Sequence, residues 1–358
     1  RNLRQMLFGA YFQDNWQLAD SLTLNLGLRY EFVTVPDEDD HLISTLDSLF
    51  DPFVSVTKQV AAQYKNEPRA FVKSDIQEFF RNPTLKSFSP RFGFAWAPGN
   101  KTFSVRGGYG IFFDYPVLYQ LRTSLQELPP FVETARLRAT GNGAIPASRL
   151  PLVMGPNIVN QYLDLINSPT FSTFNLRYME PNQSNAYIHR WSLTLQKSFG
   201  TDWVASAGYT GSRGLHLLHQ SLPNVRLWDG FPNQPTGRKH CSANAPLINP
   251  NFGEMRTQSS NANSYFHGLA VGLQKRMTKG LQVQLAYNYS KAIDQGSGVT
   301  SGGDEFAQGQ RGIYYWDMNE KRGLASFDIR NSMTANFTFE PPTKGLTGVA
   351  GAIAGGWQ

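Results

Sequence analysis

The chain holds one cysteine, Cys241, among 358 residues, so no intrachain disulfide can form and no cysteine-based zinc site can be assembled. It has no run of 18 or more apolar residues, which excludes transmembrane helices. Charged residues are sparse at 17%, and the net charge of +6 lacks the dense basic footprint of a nucleic-acid binder. The opening RNLRQMLFGAYFQ lacks the apolar centre and small-residue cleavage site of a signal peptide, and reads as a strand in progress. No Ser/His/Asp arrangement suggests nucleophilic catalysis, and no cofactor or metal motif stands out. What is abundant is different. Aromatics reach 13% (25 Phe, 15 Tyr, 7 Trp) and glycine 32 residues, at a mean hydropathy of −0.37. The length suggests two soluble domains or one large β architecture, and a half-polar membrane strand is invisible to averaged hydropathy.

The dominant pattern is alternation. In SLTLNLGLRYEF (21–32), Leu22, Leu24, Leu26, Leu28, Tyr30 and Phe32 fall on one face, and Thr23, Asn25, Gly27, Arg29 and Glu31 on the other. Before it, MLFGAYFQDNW sets Met6, Phe8, Ala10 and Phe12 opposite Gln5, Gly9, Tyr11 and Gln13, joined through the short QLADS. SFSPRFGFAW (87–96) and TFSVRGGYGIFF (102–113) repeat the unit across PGNK, then YIHRWSLTLQK (187–197) and WVASAGYTG (203–211) across SFGTD. YFHGLAVGLQKRM (265–277) and LQVQLAYNYSK (281–291) follow across TKG, SFDIRNSMTANFTFE (326–340) makes a ninth strand, and AGGWQ starts a tenth. Short turns thus alternate with long Pro-, Asn- and Gly-rich connections such as 33–87 and 114–186. Outer-membrane barrels segregate short periplasmic turns from long extracellular loops in this way, whereas loops of this length count against a compact soluble domain.

Magnitudes favour a bilayer over a soluble core. Eleven residues at ~3.3 Å each, tilted by ~45°, cover ~26 Å, close to the ~25 Å apolar band of such barrels. The expected lipid-facing set is Leu22, Leu24, Leu26 and Leu28, then Phe92 and Phe94, Val105, Leu193 and Leu195, Leu269, Val271 and Leu273, and Val283 and Leu285. Arg29, Glu31, Arg91, Arg106, Arg190, Asp328 and Arg330 fall on the polar faces and are expected to line the lumen. An arginine at the lipid-facing midplane costs ~2–4 kcal/mol, which accounts for their confinement. Trp16, Trp96 and Trp203 flank the short turns as a periplasmic aromatic girdle would. His189, Lys197, His267 and Lys275 lie toward the ends of the apolar faces, and Asn331 is an apolar-face exception that the pattern does not explain.

Taken together, YFQDNWQLADSLTLNLGLRYEF (11–32), SPRFGFAWAPGNKTFSVRGGYGIFFD (89–114), HRWSLTLQKSFGTDWVASAGYTGSRGLHL (189–217), HGLAVGLQKRMTKGLQVQLAYNYSKAID (267–294) and FDIRNSMTANFTFEPP (327–342) resemble the β-barrel of TonB-dependent outer-membrane transporters, in their Oar-like group. The resemblance implies an all-β, antiparallel up-and-down transmembrane barrel of Gram-negative-type bacteria, with about twice the strands visible here. Residues 1–358 would then be part of that barrel, without the N-terminal plug, the segment that engages TonB, or a carboxypeptidase-regulatory-like domain. The implied partners are outer-membrane lipid, the TonB energy-transducing complex through the plug region, and a bulky substrate met at the extracellular loops.

The remaining motifs read as loop chemistry. PDEDD (36–40) lacks the ligand spacing of a calcium loop, and Lys239-His240-Cys241 has no partner ligands nearby in sequence. GSRG (211–214) and GSGVTSGGD (296–304) do not link a strand to a helix as phosphate loops do, and read as flexible loop. The lumen-facing arginines either form a cationic wall for an anionic substrate, or dock a plug and pair with Glu31 and Asp328. Loop segments Phe112–Tyr119 and Gly312–Trp316 are candidates for ligand capture. The reading is a non-enzymatic transporter or receptor. Its alternatives are a passive porin or structural barrel, and a secreted soluble all-β carbohydrate-binding protein whose leucine faces would meet between two sheets.

Overall fold

The computed structural model describes residues 3–41, 43–45, 73–82, 84–115, 174–224, 227–228, 240–241, 252–295, 318–340 and 348–349. Nine long strands carry the architecture: β1 (Leu7–Ala19), β2 (Leu22–Val33), β3 (Phe88–Trp96), β4 (Phe103–Asp114), β5 (Ala186–Phe199), β6 (Trp203–Ser221), β7 (Phe252–Thr278), β8 (Leu281–Asp294) and β9 (Asn331–Phe339). Each pairs antiparallel with the next, so chain order is spatial order. Short strands Phe174–Met179, parallel to β7, and Gly323–Leu324, on β8, complete an eleven-stranded sheet. Among the described residues β1 and β9 are its two edges and do not pair with each other, so the sheet is an open wall. The starting tenth strand expected at AGGWQ lies outside the described residues.

The turns explain the hairpins. Lys279 and Gly280 both have positive φ (52° and 73°), the backbone of a two-residue turn whose twist matches its strands. Gly280 also cannot carry a side chain for want of space: a Cβ there would lie 2.2 Å from the Glu340 carbonyl oxygen. At the opposite end the connections are long, and two strands run further than the alternation suggests. β6 continues to Ser221 and β7 begins at Phe252, with register shifts between Gly214, Leu217 and His219. GSRG is therefore strand, correcting the loop reading: Gly211–Gly214 pair with Arg190, Ile188 and their neighbours on one side and with 264–267 on the other. The 33–87 connection is also less irregular than expected. Asp37–Glu38 pairs with Leu3–Arg4, and Ile43–Thr45 with Lys73–Ile76.

The buried apolar cluster is small and sits with these connections: Ile43, Phe79, Phe80 and Met179, packed against by Leu3, Val35 and Leu218. The broad apolar face of the sheet is not part of it. Phe12, Leu28 and Leu269 are 72%, 47% and 44% exposed, on a sheet with no second sheet over that face among the described residues. A water-soluble monomer rarely leaves such a contiguous patch bare. The reading in which two sheets bury the leucine faces therefore finds no support in this architecture.

Candidate lumen face and its outer rim

Register fixes which side chains share a face, because residues directly opposite on antiparallel strands point the same way. One row runs Leu22–Trp96–Val105–Leu195–Ala207–Val271–Tyr287–Met333 across β2 to β9. The next runs Trp16–Leu24–Phe94–Gly107–Leu193–Tyr209–Leu269–Tyr289–Asn331. Leu26 and Phe92 continue this face one row up, Leu28 two rows up; Leu273 and Leu285 extend it toward the turns, beside Val283. Trp203 pairs with Phe199 and Lys275 at the short-turn end. All fourteen apolar positions and the three tryptophans thus lie on one face. Two glycines in it are roofed by aromatic rings: an added Cβ would lie 2.4 Å from Phe94 at Gly107 and 2.3 Å from Trp191 at Gly211.

The opposite face carries the arginines. Arg91 and Arg190 stand on either side of Gly110, so their Cα atoms flank one strand at about 10 Å, twice the interstrand spacing. The Arg91 guanidinium lies 4.8 Å over the Phe112 ring. Arg106 sits lower, between Ala95 and Thr194. Between these levels runs a row of small side chains, Gly93–Gly108–Ser192–Thr210–Gly268–Ser290, which leaves the arginines uncrowded. Arg29 and Arg330 behave differently. Arg29 Nη2 donates to Glu31 Oε1 at 2.5 Å, and Arg330 Nη2 lies 3.6 Å from Asp328 Oδ2. Asp328 is fixed in turn by accepting the Ala292 backbone N–H at 2.6 Å. Among the described residues Arg91, Arg106 and Arg190 have no such carboxylate partner.

Three features escaped the alternation pattern. First, the hydroxyl of each of three tyrosines on the apolar face is hydrogen-bonded to a polar residue on the next strand, one row farther from the short turns. Tyr109 meets His189 Nδ1, Tyr209 meets His267 Nδ1 and Tyr287 meets Asn331 Oδ1, each at 2.7 Å. These tyrosines stand six residues beyond Phe103, Trp203 and Leu281, the first residues of β4, β6 and β8, so the belt holds one height. It accounts for Asn331 and forms a second polar-aromatic belt above the tryptophans. The signal was there in the equal spacing of the tyrosines. Second, Asp14 lies on the apolar face, opposite Leu26. Third, Tyr115, just beyond β4, is half-buried against the first connection; its hydroxyl donates to the Glu31 carbonyl at 3.3 Å, and burial pushes its pKa up.

The acidic segment is structural in part: besides the Asp37–Glu38 pairing, Asp39 forms an ion pair with Arg4. His240–Cys241 pairs with Leu227–Trp228, while Lys239 lies outside the described residues. Also outside them are Gly312–Trp316, the GSGVTSGGD segment and all of Phe112–Tyr119 beyond Tyr115.

An antiparallel meander with a continuous exposed apolar face, a polar opposite face, and short turns at one end only is the wall of a transmembrane β-barrel. The chain belongs to the family described as outer membrane beta barrel domain, which matches residues 1–358, and its place is the outer membrane. Its fold is similar to solved outer membrane transporters and siderophore receptors. The outer membrane transporter YddB from Escherichia coli is 11% identical, with 94% of this chain and 31% of that one covered at a TM-score of 0.48. The siderophore receptor PirA from Pseudomonas aeruginosa is 12% identical, with 81% and 36% covered at 0.38. The siderophore receptor PiuA from Acinetobacter baumannii is 11% identical, with 95% and 32% covered at 0.40. The chain thus spans about a third of the length of each. No curated protein sequence matches it.

Proposed function

We propose that the chain is wall of a TonB-dependent transporter or receptor of the Oar-like kind, which takes a bulky substrate at the long connections and passes it along the polar face. The observation that carries this is the polar face itself: Arg91, Arg106 and Arg190 have no carboxylate partner among the described residues and stand over a floor of glycine and serine. Width supports it. About eight strands close a small barrel filled by side chains, and about 22 enclose a plugged lumen; nine consecutive long strands here still form an open wall. On this reading the arginines attract an anionic or peptide-like substrate and no bond is made or broken on the chain. Energy comes from TonB through a plug, and lipid-facing leucines hold the wall in place.

The test is solute depletion from a mixed nutrient medium, by wild-type cells and cells lacking the gene. Expected is one or more solutes too large for porins that only wild-type cells remove, with removal abolished when the proton gradient is dissipated. Removal that continues without the gradient would establish a passive porin instead. The double variant Arg91→Gln/Arg190→Gln should reduce uptake while the protein still reaches the outer membrane. Unchanged uptake would assign these arginines to wall structure.

A further inference from the structure

The apolar face ends, toward the long connections, in a group of cations that the transport reading does not use. Arg213 and Lys291 both lie on this face: Arg213 is opposite His189 and Tyr265, and Lys291 is opposite His267. Each stands ten residues beyond the first residue of its strand, Trp203 or Leu281. At ~3.3 Å per residue and ~45° tilt, that is ~23 Å above the short turns, the upper limit of the apolar band. A third cation arrives from the connection before β9. The guanidinium carbons of Arg213 and Arg322 lie 5.3 Å and 4.9 Å from the centroid of the same Tyr265 ring.

Two guanidiniums at one ring concentrate positive charge at this edge, and among the described residues no carboxylate is paired with either. The nearest acidic positions along these strands turn the other way: Asp294 is opposite Ser264 on the polar face, and Asp328 is held by Arg330 and the Ala292 N–H. Among the described residues neither Arg213, Arg322 nor Lys291 has an ion-pair partner. A bound anion would offset that charge. Directly beneath the cations the sheet presents Tyr209, Leu269, Val271 and Tyr289, 39–46% exposed, a strip on which acyl chains would lie. A charge-accepting rim continuous with an apolar strip fits an amphiphile, with its charge at the rim and its chains below.

We propose that the outer edge of the apolar face on β6, β7 and β8 binds the phosphate-bearing headgroup of an anionic lipid, held by Arg213, Arg322 and Lys291 around Tyr265. The site rests on this face being the lipid-facing one. The Tyr209–His267 and Tyr109–His189 pairs form its floor, and planar guanidiniums already placed on a ring suit phosphate oxygens without further ordering.

The experiment uses the full-length protein purified from outer membranes in zwitterionic detergent. Binding of phosphatidylglycerol, phosphatidylcholine and inorganic phosphate is followed by native mass spectrometry. Phosphatidylglycerol should bind in preference to phosphatidylcholine. Arg213→Gln/Arg322→Gln should weaken it roughly tenfold or more, by removing two cations at the headgroup depth. Arg213→Lys/Arg322→Lys, which keeps the charge, should retain most of it and guards against a folding defect. Lys101→Gln, at the short-turn end, should change nothing. Equal weakening by Lys101→Gln, no weakening by the double glutamine variant, or displacement of the lipid by inorganic phosphate at matched concentration would each overturn the proposal. A nitroxide on Leu269→Cys in a Cys241→Ser background separates the two layers of the argument. A label relaxed by oxygen but not by a water-soluble nickel chelate keeps the face in lipid, so that a lost lipid preference would count against the rim alone. A label reached by nickel would remove the lipid-facing assignment itself, and the proposal with it.

Discussion

Replacing Gly211 with alanine puts the reasoning about the apolar face under direct strain. Gly211 is buried in mid-strand on β6 beneath the Trp191 indole. A methyl group there would sit 2.3, 2.4 and 2.5 Å from Trp191 Cε2, Nε1 and Cζ2. Ordinary carbon contacts need ~3.5–4.0 Å, so the ring must move by more than an ångström. Trp191 packs beside His267, with ring centroids 6.1 Å apart, so its displacement also disturbs the Tyr209–His267 pair. Overpacking of this kind costs about 1–3 kcal/mol. The assay is reversible urea unfolding of the protein in lipid vesicles, read by the change in heat-modifiable gel migration. Gly211→Ala should lower the unfolding free energy by about 1–3 kcal/mol. In a Trp191→Ala background the same change should cost under about 0.5 kcal/mol, leaving a coupling energy near 1 kcal/mol or more. Equal costs in both backgrounds would refute the claim that the indole roofs this glycine.

Three further outcomes follow from local geometry. Tyr287→Phe removes the hydroxyl that serves Asn331 Oδ1 and should cost about 0.5–1.5 kcal/mol by the same unfolding assay, and far less in an Asn331→Leu background. Gly280→Ala meets both a φ of +73° and the Glu340 carbonyl, and should destabilise the β7–β8 turn by at least about 1 kcal/mol. In the β5–β6 turn the Thr201 hydroxyl donates to Asp202 Oδ1 at 2.6 Å, and holds that carboxyl below the usual carboxylate range. A depressed folded-state pKa stabilises above the unfolded value and is lost as pH falls through the lowered one, so Thr201→Ala should make the acid limb of the stability curve shallower.

Strand identity was legible because two solvents act on two faces of every strand. Nine alternating segments, with Leu and Phe on one side and Arg, Asn and Thr on the other, became the nine long strands, and the short turns fell where the alternation paused. What alternation cannot carry was missed where only one solvent acts. In the far part of β6 the adjacent Leu217 and Leu218 break the alternation, and the far part of β7, Phe252–Asn263, is rich in small polar residues, so no periodic contrast marks either as strand. Register shifts beyond Gly214 blur the pattern further. Cross-strand partners were equally hidden. Asn331 is anomalous by alternation and explained by Tyr287 beside it, and the carboxylates that hold Arg29 and Arg330 sit only two residues away in sequence: Glu31 shares a face of β2 with Arg29, and Asp328 lies just ahead of β9. The same register shows that Leu26 is a poor place to test lipid exposure, because an arginine there would face Asp14.

Leu269 and Ala270 provide the cleaner pair. They are adjacent on β7 and point to opposite faces: Leu269 meets Tyr209 and Tyr289, whereas Ala270 meets Gly208 and Asn288. Tyr209 stands six residues beyond Trp203, which places this level ~14 Å above the short turns, near the bilayer midplane. Leu269→Arg should therefore cost about 2–4 kcal/mol in lipid vesicles, against close to zero for Ala270→Arg. Unfolding free energies of the two variants, measured side by side, test most directly whether this sheet is a membrane wall with one face in lipid and the other in water. A large loss at Leu269 with little at Ala270 is the predicted result. Equal losses, or a larger loss at Ala270, would contradict it.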